Sequence, residues 1–364
     1  MCRIGKYNLS TPIIQGGMGI GVSLGRLAGA VAKEGGMGVI STVNPGYRED
    51  DFSTNPLEAN LRALKNEIEY AIKESKGNGI VAINAMVATS NYEASIKTAI
   101  ESGIHAIISG AGLPINLPAF TKGTSVAIAP IVSSGKAIKL ILKAWDKNHH
   151  VIPDFIVIEG PQAGGHLGFK KKDLVDGNVQ SLDEILRDVL IEIMPYEKEY
   201  GRRIPVFVAG GVFDGNDMAR LVSKGASGVQ IATRFIATEE CDASIEYKQM
   251  MINAKPEDAV LVPSPVGLPG RALNTPLIKR LINGIALSPK PCNMCVKTCP
   301  KNTDIPYCIS RALIEAVKGN VEDGLFFCGA NVGRINKMTT VHDLIQEIMG
   351  EYNLYSSRIS RNPA

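Results

Sequence analysis

One of the five histidines sits in a setting unlike the other four. His166 lies in IEGPQAGGHLG, directly after a short β-branched run that ends at Glu159. Gly164 and Gly165 let the backbone pass close to a bound ligand, so the loop is short and stiff. An imidazole held there can take or give a proton near neutral pH. His105 opens a strand, His149 and His150 fall in a polar loop, and His342 lies in a late helix. These four read as ordinary core or surface residues.

A second group reads as an anion site. VFVAGGVFDGNDMARLVSKG is a strand, Gly210 and Gly211, then a helix capped near Asp214 or Asn216. Gly211 brings backbone N–H groups near an anion where a side chain would block approach. The next strand ends in GVQIATRF, which presents Gln230, Ile231, Ala232 and Thr233 beside it, with Arg234 following. Backbone donors and a Thr hydroxyl suit a phosphate monoester; the bland alternative is that the glycines only make tight turns. Near the start, IIQGGMGIGVS sets Gln15, Gly16, Gly17, Met18 and Gly19 after a strand. A flat heterocycle fits such a surface of amides and thioether. Asn84 stands inside an otherwise apolar strand, and a buried amide needs partners, so it is expected to face a polar ligand.

The elements that must hold these residues repeat as strand, loop and helix over about the first 235 positions. Short apolar runs fall at 12–15, 38–42, 80–85, 106–109, 126–131, 155–159, 206–209 and 228–232. Helical patterns lie between them at 25–33, 56–75, 92–102, 134–147, 182–193 and 216–223. Eight such strands fit a closed α/β barrel of the TIM type better than an open sheet. No glycine triplet has the G-x-G-x-x-G spacing of an open dinucleotide fold, whereas the seventh and eighth runs end in glycines where a barrel captures phosphate. Residues 1–240 are therefore expected to form the barrel. Residues 241–336 read as a smaller, mainly helical region with helices at 306–318 and, beyond it, 341–349. The segment 337–364 is expected to return to the barrel.

Composition narrows the function classes. The 364 residues carry 39 Lys+Arg against 36 Asp+Glu, a net charge of +3, which leaves no footprint for nucleic acid or an anionic membrane. No apolar run approaches the ~18–20 residues that span a bilayer. The opening residues lack a signal-peptide layout, and seven cysteines, an odd number, suggest a reducing, cytoplasmic setting. No G-x-S-x-G elbow, Walker loop or H-E-x-x-H occurs, so hydrolase and nucleotide triphosphatase chemistries lack support. Lys170, Lys171 and Lys172 read as a solvated face. Val262, Val266, Leu268 and Leu273, in the Pro-rich stretch, need cover from a homodimer partner or by closing over the site.

Four cysteines stand apart as Cys292-x2-Cys295-x3-Cys299-x8-Cys308. Such a set could hold zinc or an iron–sulfur cluster, but the run matches neither a paired C-x-x-C zinc site nor a complete ferredoxin motif. Reduced structural thiols are the expectation, and no metal ligand is assigned.

Taken in order, PIIQGGMG, VAINAMV, EGPQAGGHLG, AGGVFDG and GVQIATRF resemble the nitronate monooxygenase family, formerly called 2-nitropropane dioxygenases. Flavin-dependent enoyl-acyl-carrier-protein reductases share that scaffold. The resemblance continues to GLFFCGANVGRINKMTTVHDLI near the C-terminus. It implies a barrel that binds FMN, with Gln15 to Met18 against the isoalloxazine and Asn84 at its polar edge. Glu159 and Gly164 would contact the ribityl and ring region, and Gly211 with Gln230–Thr233 would bind the phosphate. His166 matches the family's catalytic histidine. The family often has Gln in place of Glu159 and Gly in place of Ala232. The activity implied first is oxidation of a nitronate or nitroalkane by O2, giving a carbonyl compound and nitrite. A NAD(P)H-dependent reductase acting on an enoyl thioester or a quinone is the alternative, and a non-catalytic flavin-binding module is the remote one.

Overall fold

The computed structural model describes residues 2–287, 292, 295–297, 299 and 305–361, the last four by backbone alone. It opens on an antiparallel hairpin of β1 (Cys2–Ile4) and β2 (Tyr7–Leu9). Six parallel strands follow: β3 (Ile13–Gln15), β4 (Met37–Ser41), β5 (Ile80–Met86), β6 (Ala106–Gly110), β7 (Ala127–Val132) and β8 (Ile156–Glu159). After the two-residue β9 (Gly165–His166) come β10 (Val206–Ala209) and β11 (Gly228–Ile231). β8 pairs with β10, and β11 returns to β3, so eight strands close a barrel. Each lies on one of the eight apolar runs, and the TIM-type barrel is as expected.

The strands are short, β-branched and buried on both faces, as a parallel sheet wrapped by helices requires. Side chains alternate. Ile80 and Ala82 fill the barrel interior, while Val81 and Ile83 pack outward among the helices. Ile14, Met37, Val39, Ile108, Ala129, Phe155, Val157 and Phe207 complete the interior layers, and the hairpin adds Ile4 and Leu9 to them. Polar caps set the helix starts. Ser134 accepts from Ala137 N–H, Asp214 from Asp217 N–H, and Ser181 forms a capping box with Glu184.

Four expectations need correction. Helix Leu182–Tyr200 continues past 193 through Pro195, and the final helix runs Val341–Arg361, because packing sustains turns that the apolar pattern does not mark. His149 ends helix Gly135–His149, with His150 as its left-handed cap, so neither is in a loop. The region 241–336 also holds β12 (Ala259–Val262) and β13 (Gly270–Leu273), antiparallel to each other, with β13 pairing β9. Those strands lie in Pro- and Gly-rich sequence, and the partner of β13 stands about a hundred positions away, so no local pattern announces them.

The final helix lies against the outer helical layer. It packs against Gly215–Ser223, where Glu351 accepts Gly215 N–H at 2.8 Å, and Glu347 pairs with Arg234 at 2.8 Å. Among the described residues no helix is long and apolar enough to cross a membrane. Val262 and Leu273 are buried within the chain, and Val266 and Leu268 line the central cavity. The fold itself covers Val262 and Leu273, while Leu268 stays 37% exposed at the cavity.

Candidate active site

A cavity of 520 Å³ opens at the C-terminal end of the barrel. Its floor follows from strand alternation. The inward-facing positions at the strand ends are Gly16, Ser41, Asn84, Gly110, Ile131, Glu159, Ala209 and Gln230, and all eight line the cavity. Asn84 thus continues the inward row of Ile80 and Ala82, which places its amide in the cavity. Glu159 follows Phe155 and Val157 in the same way.

Parity also decides Gln15, which points outward. Its Oε1 accepts Val39 N–H at 3.0 Å and its Nε2 donates to Gly16 O at 2.5 Å. Gln15 is fully buried and does not line the cavity. The amide ties β3 to β4, whose pairing consists of the single register Ile14 to Met37. The other candidate residues do line it: Gly16, Gly17, Met18, Asn84, Glu159, Gly164, His166, Gly211, Gln230, Ile231, Ala232 and Thr233.

Two glycines let the backbone run where a side chain would not fit. A Cβ on Gly17 would stand 2.5 Å from Asn84 Cβ, so the backbone runs tight along the floor. Gly211, at φ +110°, follows Gly210 at φ +88°, a conformation that favours glycine. Thr233 Oγ1 accepts Gly329 N–H at 2.9 Å, leaving its own O–H available as a donor. Arg234 also lines this end, but its guanidinium is held by Glu347, donates to Phe213 O at 3.1 Å and stacks over the Phe213 ring at 4.5 Å.

Sequence reasoning left out the chain that closes this end. Gly329, Ala330 and Asn331 line the cavity, and Asn331 Nδ2 donates to Gly211 O at 3.0 Å. Gly164 lies so close to the backbone of Cys328 and Gly329 that a Cβ would overlap it. The only available signal was the FCGAN segment, whose position against Gly211 depends on contacts over more than a hundred residues.

His166 stands on the wall. Its strand pairs with Gly270, and Leu167 N–H donates to Pro269 O at 2.8 Å. Nε2 is 2.8 Å from Ser264 Oγ, and the ring meets Phe327 edge-on at 5.2 Å. Arg271 Nη1 donates to Pro161 O at 2.8 Å and Ala163 O at 2.6 Å, clamping the loop from behind. Burial pushes the imidazole down to about 4, and pushes the Glu159 carboxyl up to about 7. Near neutral pH the wall is therefore uncharged and the floor carries a carboxyl close to its titration point, while the Gly211–Thr233 end offers backbone and hydroxyl donors. Such a site favours a ligand with a flat, neutral body and an anionic tail.

A closed parallel barrel with such a cavity at its C-terminal mouth places the chain among the oxidoreductases built on the TIM-type barrel. More narrowly, the chain belongs to the nitronate monooxygenase family, whose model matches residues 2–351. It is 25% identical over 273 residues to (3aS,4S,5R,7aS)-5-hydroxy-7a-methyl-1-oxo-octahydro-1H-indene-4-carboxyl-CoA dehydrogenase of Mycobacterium tuberculosis, across 75% of this chain and 66% of that protein. It is also 25% identical over 308 residues to a probable nitronate monooxygenase of Staphylococcus saprophyticus, across 76% and 79%. The structure of FabK from Thermotoga maritima superposes with a TM-score of 0.71 at 23% identity, across 97% of this chain and 96% of that one.

Proposed function

We propose that this protein binds FMN and oxidises alkyl nitronates with O2 to a carbonyl compound and nitrite. The observation that carries the reading is the pairing of one phosphate-sized cradle with an uncharged histidine across a flat floor. Gly211 and Gln230–Thr233 would hold a single phosphate, and Gly16–Met18 with Asn84 would meet the ring. The close packing of the Gly17 backbone on Asn84 and the paired positive-φ glycines suit a flat ring and an anion respectively. The flavin supplies electron transfer between substrate and O2. Asn84 would orient the ring edge, and Met18 would cover the ring with a polarisable group.

His166 keeps an unprotonated nitrogen at neutral pH. A nitroalkane must lose its α-proton before it can be oxidised, and His166 would take it; a nitronate arrives without that proton. Purified protein should be yellow and release FMN on denaturation, and FAD or no flavin would overturn the cofactor assignment.

One observation favours a second reading, a NAD(P)H-dependent reductase of an enoyl thioester or a quinone. A histidine held near pKa 4 is a weak base, whereas hydride transfer from NAD(P)H needs no base at that position. Anaerobic mixing with NADH, NADPH and a nitronate separates the two. Fast bleaching of the flavin by the nitronate supports the monooxygenase. Bleaching by NAD(P)H with no turnover of nitronate or nitroalkane supports the reductase.

A further inference from the structure

One side of the cavity is used by neither the phosphate cradle nor the floor. Gly211 and Gln230–Thr233 lie at the ends of β10 and β11, the seventh and eighth strands around the barrel. Met86 ends β5 and Leu113 follows β6, the third and fourth strands, so both stand across the mouth from the cradle. Helix Ile309–Val317 supplies Ile309 and Leu313, one turn apart, to the same cavity. Asn44, just after β4, pins that helix: its Nδ2 donates to Ser310 Oγ at 3.1 Å, and Asn60 Nδ2 donates to Asn44 Oδ1 at 3.2 Å. Tyr307 OH donates to Pro263 O at 3.0 Å, which joins the start of the helix to the segment carrying Val266 and Leu268. Ser264, in that segment, is the partner of His166 Nε2.

The wall built in this way is aliphatic. Among the described residues that line the cavity, the acidic, basic and imidazole side chains are Glu159, His166 and Arg234, which end or follow β8 and β11. The hydroxyls on the far side are already engaged. Thr89 Oγ1 donates to Met86 O at 2.7 Å, and Ser310 Oγ accepts from Asn44. A wall whose side-chain polar groups are satisfied within the fold offers a ligand aliphatic contact rather than hydrogen bonds. Two of its leucines also stay open to solvent: Leu113 is 44% exposed, and Leu268 is exposed as well. Large apolar side chains left open on one cavity mark where an apolar group of a ligand lies.

We propose that the substrate carries an unbranched alkyl chain of medium length, held by Met86, Leu113, Ile309 and Leu313 and emerging past Leu268, with its reacting carbon toward His166. The identity of the reacting group rests on the nitronate reading. The chain does not, because an enoyl thioester would lay its aliphatic part on the same wall. Each methylene that leaves water for such a wall strengthens binding about fourfold. The gain ends where the chain passes Leu268 and returns to solvent. A short substrate such as nitroethane would leave the wall uncovered.

The test is calorimetric titration of the full chain, as purified, with n-alkanoates from propanoate to decanoate. Their carboxylate copies the planar, anionic head of a nitronate, and neither the monooxygenase nor the reductase reaction consumes them. The dissociation constant should fall about fourfold per carbon as far as hexanoate or beyond, and then level. Leu113→Asp should weaken octanoate roughly tenfold and propanoate less than about twofold, and Leu113→Met should restore octanoate binding. Leu113 is not a core residue, so both variants should keep the circular dichroism of the wild type. No binding of octanoate, a series that is flat from propanoate to decanoate, or equal weakening of both acids in Leu113→Asp each overturns the proposal. Turnover of ethyl to octyl nitronates is measured separately. If none turns over while the alkanoates follow the series, the nitronate reading fails and the chain site stands.

Discussion

His166 and Glu159 are both pushed toward neutrality by burial, yet the consequences differ because one is a base and the other an acid. A base with a pKa near 4 stays unprotonated through the neutral range. Nitroalkane turnover that depends on His166 should therefore hold steady as pH falls from 8 to 5, and drop only near pH 4. His166→Asn should cost ~10²–10⁴-fold on nitroalkanes, much less on preformed nitronates, and leave flavin bound. Equal losses on both substrates in steady-state assays would remove the base role. The Glu159 carboxyl, raised from 4.5 to about 7, binds its proton more tightly when folded. Its contribution to stability is thus full below pH 4.5 and is lost as pH rises toward 7. In flavin-free protein, Glu159→Gln should be the more stable at pH 8 by on the order of 2–3 kcal/mol, with no advantage below pH 4. Chemical denaturation at the two pH values checks this, and a constant difference would refute it.

At the scale of elements, the site is an agreement between strand ends and segments that arrive from far along the chain. Thr233, just beyond β11, holds Gly329 N–H, and Asn331 holds the carbonyl of Gly211. Thr233→Val leaves a partly buried backbone donor without its partner, a cost of about 1–3 kcal/mol. It should loosen the 324–331 segment and weaken flavin binding together, which fluorescence titration and hydrogen exchange can read in one protein. Gly17→Ala acts on the floor instead. Its Cβ would press on Asn84 and on Val39 Cγ1, 3.2 Å away, so flavin affinity should fall at least ten-fold while the circular dichroism of the barrel persists. Unchanged affinity would mean that the floor yields more easily than the packing suggests.

Across the whole molecule, barrel and smaller region share one site and one stretch of sheet. β13 of the smaller region pairs with the His166 strand, Arg271 clamps the loop before it, and the final helix caps Gly215. We propose that 1–240 and 241–336 unfold as one cooperative unit. Calorimetry should show a single transition, and FMN in excess at a hundred times its Kd should stabilise the whole by about 2.7 kcal/mol. Two separated transitions, with only the first responding to FMN, would show instead that the regions are independent.

Local chemistry made most of the barrel and much of its site legible. A β-branched run followed by glycine marks a strand giving way to a loop, and eight such runs alternating with helices specify a barrel. An Asn or Glu at the end of such a run must then face in or out, and that much is fixed by a period of two. Tertiary structure alone decided which parity won. Gln15 turned outward to hold Val39, while Asn84 and Glu159 turned inward. It also decided every contact between distant segments: Ser264 on His166, Asn331 on Gly211, and Ser310 on Cys295. Such pairs leave no periodic trace, because their geometry is set by how whole layers pack rather than by the spacing of neighbours along the chain.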